Sequence, residues 1–135
     1  MPPEADAPRA GSAEDWLRHA HSDLALARAP LPTGALLEAL CFHAQQAAEK
    51  ALKAVLVRRG VSAPRTHSIG YLLDLVASDL PMPDEVRAAA TLTDYAVAAR
   101  YPGEFEPVDE AEYAAAVKAA ETVVSWAERV VLGTG

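Results

Sequence analysis

The sequence predicts an all-α domain, an up-and-down bundle of helices. Three observations carry this. Apolar residues recur at three- and four-residue spacing along most of the chain. Short clusters of proline and glycine separate those stretches. No segment joins the alternation of a strand to turn residues suited to a hairpin. Short links between helices imply antiparallel neighbours, hence the up-and-down arrangement.

Residues 1–11, with three prolines and a glycine, read as a flexible leader. Ser12-Ala-Glu-Asp15 resembles a capping box, with the serine oxygen accepting an amide hydrogen bond and acids at the positive helix end. A first helix follows to about Arg28, carrying Trp16, Ala20, Leu24 and Ala27 on one side. APLPTG ends it, because two prolines in three residues cannot stay helical. The second helix is expected from about Gly34 to Arg59, capped by Thr33 and stopped by Gly60. The third spans about Ser68–Ser78, with Ile69, Leu72, Leu73 and Val76 inward. After PMPD a fourth covers about Asp84–Ala99, and YPGEFEP is a loop because Pro102 pushes Tyr101 towards extended geometry. Asp109-Glu-Ala-Glu112 is a second capping box. It opens a helix to about Leu132 with Tyr113, Val117, Ala120, Val124, Ala127 and Val131 as its apolar stripe.

The totals bound the function. With 135 residues the chain forms one domain, expected over residues 12–132 with a tail at 133–135. Apolar residues at 51% and charged residues at 23% mark it as globular. No apolar run approaches the ~20 residues that cross a bilayer. The start has an early acid and no apolar core, so it is not a secretory signal. A single cysteine, Cys41, excludes an internal disulfide and fits a reducing cytoplasm. His19, His21, His43 and His67 show no metal-ligand spacing, so neither structural zinc nor another cofactor is expected. The net charge of −7 argues against a general phosphate-binding surface. Yet Lys50, Lys53, Arg58, Arg59 and Arg65 fall within sixteen residues, which suits a selected anion or partner.

Placed at ~100° per residue, the second helix divides into two arcs. Leu36, Leu37, Leu40, Cys41, Ala44, Ala47, Ala48, Ala51, Leu52, Ala54 and Val55 fill a broad half whose alanines permit close helix packing. The other arc holds Glu38, Phe42, His43, Gln45, Gln46, Glu49, Lys50, Lys53, Leu56 and Val57. Gln45, Glu49 and Lys53 follow one another at four-residue steps, and Glu49 with Lys53 is the favourable direction for a helix pair, worth ~0.2–0.5 kcal/mol. A solvated face would explain that row. Phe42 and Leu56 interrupt the polar arc and are candidate interface residues. His43, Gln46 and Lys50 form a second row beside the apolar half. There a lysine is costly to bury unless an acid or an anionic ligand pairs with it. Such a row supplies donors to a phosphate or a base edge, or closes an internal network.

Two outposts lie elsewhere. His67 opens the third helix, where the positive helix end disfavours imidazolium; a neutral donor or acceptor, or a capping role, follows. Arg100-Tyr101-Pro102-Gly103 carries a guanidinium fork suited to carboxylate or phosphate, with Tyr95 and Tyr101 beside it. His19 and His21 read as surface positions.

FHAQQAAEKALKAVLVRRG (42–60), THSIGYLL (66–73) and YAVAARYPG (95–103) together resemble, in that order, the HEPN domains of bacteria and archaea. The resemblance implies a four- to five-helix bundle that forms a homodimer. It implies an association with a minimal nucleotidyltransferase, sometimes as a toxin–antitoxin pair, and the binding of nucleotide (ATP or AMP) or RNA. On this likeness His43, Gln46, Glu49, Lys50, Lys53, His67, Arg100 and Tyr101 are the ligand- or partner-binding candidates. The family's ribonuclease branch uses an arginine followed after four to six residues by histidine, the first to stabilise phosphate and the second to move protons. Here no histidine follows Arg100, Arg58 and Arg59 precede His67 by nine and eight, and Arg65 precedes it by two. The sequence therefore points to a non-catalytic binding subunit. A ribonuclease with a rearranged site and a structural adaptor are the alternatives.

Overall fold

The computed structural model describes residues 8–96 and 106–133. Five α-helices follow in order: α1 (Ala13–Arg28), α2 (Leu37–Arg58), α3 (Ile69–Ala77), α4 (Asp84–Arg87) and α5 (Glu110–Leu132). A 3-10 helix, Ala88–Tyr95, continues α4. No strand occurs among the described residues.

The caps explain most boundaries. Ser12 Oγ accepts from Asp15 N at 3.1 Å, and Asp15 Oδ2 accepts from Gly11 N at 3.0 Å. That reciprocal pair starts α1. Asp109 Oδ1 accepts from Glu112 N at 2.8 Å and starts α5; Ser68 Oγ caps α3 through Tyr71 N at 3.1 Å. At the end of α2 the chain reverses at Gly60, φ +86°, with Val61 N donating to Leu56 O at 2.9 Å. Only glycine adopts that backbone without strain.

Two elements depart from expectation. α2 begins at Leu37, not near Gly34, and its cap residue Leu36 has no side-chain hydrogen bond. Gly34 sits at φ +85°, a left-handed conformation that cannot join a right-handed helix. The fourth helix is α-helical for one turn and then tightens into the 3-10 form. Thr93 Oγ1, on that tightened segment, accepts from Ile69 N at 2.9 Å, tying it to the first turn of α3.

Cross-links set the directions. Tyr113 Oη donates to the Ala27 carbonyl at 2.5 Å, while His21 meets Glu128 at 2.8 Å, so α5 runs antiparallel to α1. Gln45 reaches the His67 carbonyl at 3.0 Å and Arg59 reaches the Asp79 carbonyl at 3.3 Å. α3 therefore descends beside α2, and residues 59–68 climb back along it as an extended link. Up-and-down alternation holds on either side of that link.

α2 is the central helix. It packs against α1, α5, α3 and the 3-10 segment. Ala44, Ala47, Ala48, Ala51 and Ala54 are fully buried, which lets the neighbouring helices approach closely. Leu17, Leu24, Leu52, Leu72, Val86, Leu92, Val123 and Val124 fill the remaining core. No helix among the described residues is long and apolar enough to cross a membrane.

Candidate functional site

Because α2 is surrounded, much of its expected polar arc lies inside. Gln45 is 0% exposed, Glu49 3% and Lys53 6%. The row that a solvated face would have explained is thus a buried network. Glu49 is its centre. Its Oε2 accepts from Lys53 Nζ at 2.9 Å; its Oε1 accepts from Gln45 Nε2 at 3.1 Å and lies 2.9 Å from His67 Nδ1. Gln46 Nε2 donates to Gln45 Oε1 at 2.7 Å. Lys53 Nζ also stands 5.5 Å from the centre of the Trp16 ring, within cation–π range.

Burial is the largest single influence on the Glu49 carboxyl and pushes its pKa up. Hydrogen bonds from Lys53, His67 and Gln45 and the lysine charge act the other way, and together they hold it below the ordinary value. An ionised carboxylate only accepts, so His67 carries its proton on Nδ1 and directs it to Glu49. The rest of the imidazole is open, with the side chain 68% exposed.

A second centre lies one turn away on the α1 side. Lys50 Nζ donates to Asp23 Oδ2 at 2.6 Å, and His43 Nδ1 lies 3.0 Å from Asp23 Oδ1. Asp23 is the residue sequence reasoning missed. It sits between Ala20 and Ala27 on the buried stripe of α1, and an acid on an apolar stripe facing a lysine-bearing helix was the available signal. Phe42 is half-buried and meets the His43 ring edge-on at 5.6 Å. Leu56, expected at an interface, is 2% exposed and belongs to the chain's own core. α2 is enclosed by α1, α3, α5 and the 3-10 segment, and at that exposure Leu56 offers a partner almost no surface.

The expected residues thus fall into two clusters along α2: Glu49, Lys53 and Gln46 with His67 from the link in one, His43 and Lys50 in the other. Arg100 and Tyr101 lie outside the described residues. Every buried side-chain nitrogen and oxygen among the described residues has a hydrogen-bond partner. Among them, no group of three or more His, Cys, Asp or Glu is placed to hold a metal ion. What remains on the open strip of α2 is Phe42, the edge of His43, Gln46 and part of Lys50, with His67 beside it.

A five-helix bundle with an alanine-rich central helix and an internal polar seam is the class these features define. The HEPN domain model matches residues 13–130. TT1696 from Thermus thermophilus is 32% identical, with a TM-score of 0.77, over 89% of this chain and 98% of that one. The archaeal HEPN homologue ST0689 is 30% identical, with a TM-score of 0.70, over 89% and 98%. Among curated proteins none matches. The chain belongs to the HEPN domain family.

Proposed function

We propose that this HEPN-domain chain is a non-catalytic binding subunit. It forms a homodimer and pairs with a minimal nucleotidyltransferase in a toxin–antitoxin-like system. The observation that supports a protein partner over a nucleotide on the α2 strip is the state of its ammonium groups. Lys50 is engaged by Asp23 at 2.6 Å and Lys53 by Glu49 at 2.9 Å. A phosphate would have to displace a buried carboxylate to reach either charge, and the displaced carboxylate would then lack a counter-charge. The strip that stays open is neutral in character. It offers an aromatic ring, an amide and two imidazole edges, a composition suited to the centre of a protein interface.

The test is co-expression with a minimal nucleotidyltransferase from the same genome, read by co-purification and by light scattering for stoichiometry. The Phe42→Asp variant places a charge on the strip, and the expected result is loss of the complex with the helical content unchanged. A native chain that stays monomeric and leaves the nucleotidyltransferase unbound refutes the reading. Titration with ATP and AMP checks the nucleotide alternative.

The ribonuclease reading keeps one supporting observation. An imidazole whose Nδ1 is held by an ionised carboxylate, as in His67 with Glu49, exposes Nε2 as a proton acceptor. Cleavage of RNA by the purified chain, abolished by His67→Ala and by Arg100→Ala, would favour that reading over the binding subunit.

A further inference from the structure

At the far end of α2 from its first turn, two clefts meet over the start of α1. One, of about 360 Å³, runs between the segment from Arg9 to Glu14 and the α2 residues Val57 and Arg58. The other, of about 400 Å³, is bounded by Trp16, Val57 and the link from Gly60 to Ala63. They share Gly11 and Val57, so together they make one groove with a cationic end and an apolar end.

The groove's chemistry is unspent. Several other cations among the described residues are paired, as with Arg18 and Asp15, Arg28 and Glu121, and Arg87 and Asp74. Arg9 and Arg58 make no ion pair or side-chain hydrogen bond among the described residues. What sets these two guanidiniums apart is that they border one cleft, a local cationic edge on a chain of net charge −7. At the apolar end, Val61 is 43% exposed and Trp16 is half-buried, its ring already approached by Lys53. Gly60, Ser62 and Ala63, residues with little or no side chain, line the same cleft. Among the described residues Ser62 and Ala63 have no backbone–backbone hydrogen-bond partner, which leaves their N–H and C=O groups to pair with an incoming chain.

We propose that this groove docks an extended acidic segment of a partner protein, its carboxylates at Arg9 and Arg58 and an apolar side chain over Trp16 and Val61. An extended peptide uses a main-chain edge for affinity and flanking pockets for specificity, and this groove offers both. Glu14 decides against a phosphate ligand. It lines the same cleft as the two arginines, and its repulsion weighs more on a multiply charged phosphate than on single carboxylates spaced along a chain. The site is separate from the α2 strip proposed above, so either reading stands without the other.

The experiment uses the full chain and an array of fluorescein-labelled short peptides that alternate Asp or Glu with Leu, Val or Phe, read by fluorescence anisotropy. Matched peptides carrying Lys in place of the acids, and unlabelled ATP and AMP as competitors, complete the set. Trp126 is buried in the core, so a change in tryptophan emission on binding reports Trp16. The expected result is micromolar binding of acidic peptides, with no binding of the lysine set. The Arg9→Glu, Arg58→Glu double variant weakens it by at least about tenfold, equivalent to ~1.4 kcal/mol. Both substituted side chains are exposed, so the variant's melting temperature stays near the native value. The Trp16→Phe variant loses the emission change yet keeps its binding. Three outcomes overturn the proposal: no acidic peptide binding above the lysine set, unchanged affinity in the double variant, or ATP or AMP displacing the peptide from the groove.

Discussion

Replacing Glu49 by glutamine asks whether the buried seam is held by charge or only by shape. The substitution keeps the size and one acceptor oxygen, but removes the counter-charge of Lys53. Both partners are deep, with side chains 7% and 4% exposed at 2.9 Å. Breaking a buried pair by removing one charge costs ~3–5 kcal/mol. The retained amide oxygen and the nearby Trp16 ring soften the loss, so the lower end, about 3 kcal/mol at pH 7, is expected. For a domain of this size that corresponds to a fall in melting temperature of roughly 10–15 °C. Urea unfolding followed by circular dichroism at several pH values measures it. The sign with pH is fixed by the direction of the Glu49 shift. Its folded pKa lies below the unfolded one, so its stabilisation is fully present above the ordinary carboxylate value of about 4.3 and is lost as pH falls through the lower folded value. The gap between native and variant must therefore close in acid. The Glu49→Gln, Lys53→Met double variant removes both charges and should recover most of the loss, since apolar replacement of a buried pair is often neutral. A variant within about 1 kcal/mol of native at pH 7, or a gap that persists unchanged into acid, would show that the seam is not an ionic element.

Asp23→Asn uncouples Lys50 and His43. Because those two side chains are 24% and 32% exposed, water replaces part of the contact, and a loss of about 1–2 kcal/mol in urea unfolding is expected. Tyr113→Phe removes the hydrogen bond to the Ala27 carbonyl and should cost about 1 kcal/mol. Burial first, then the fields of Cys41 and Glu110, raise the pKa of that tyrosine. Its contribution is therefore complete below the unfolded value of about 10 and is lost as pH rises through the higher folded value, a decline that thermal melts of the phenylalanine variant should lack. Gly60→Ala meets no neighbouring atom but must hold φ +86°, and a loss of about 1–2 kcal/mol in thermal melts would reflect backbone strain alone.

The sequence made the helices legible where local chemistry decides them. Ser12 and Asp109 cap as their motifs require, and Gly60 ends α2, because those signals act within a few residues. The start of α2 and the tightened segment after α4 were less legible. Gly34 reads as a permissible helix opener until its left-handed backbone is known, and the 3-10 turn is tied to the distant Ile69 through Thr93. For the polar residues the limit was partnership across the fold. Periodicity placed Gln45, Glu49 and Lys53 on one arc but could not show that residues 59–68 climb back and cover it. Nor could it show that Leu56 lies in the core. Asp23 was visible only as an acid among alanines, and its meaning depends on how α1 is rotated against α2.

These observations share one cause. Alanine along α2 brings α1 and α5 close, and the returning link closes the third side. Water is thereby kept from Lys53 and from most of Lys50. In that surrounding an unpaired ammonium is costly, so each lysine needs a carboxylate from within reach: Glu49 along the same helix, and Asp23 from the neighbouring one. The carboxylates in turn orient His67 and His43 through their Nδ1 atoms. The close packing that builds the bundle thus cancels the charges of the row while fixing the ring edges and amide left outside. The proposed cationic docking falls instead at the end of α2, where Arg58 has no internal partner among the described residues. The strip proposed for assembly and the groove proposed for an acidic chain are two surfaces of one central helix, separated by where its alanines stop.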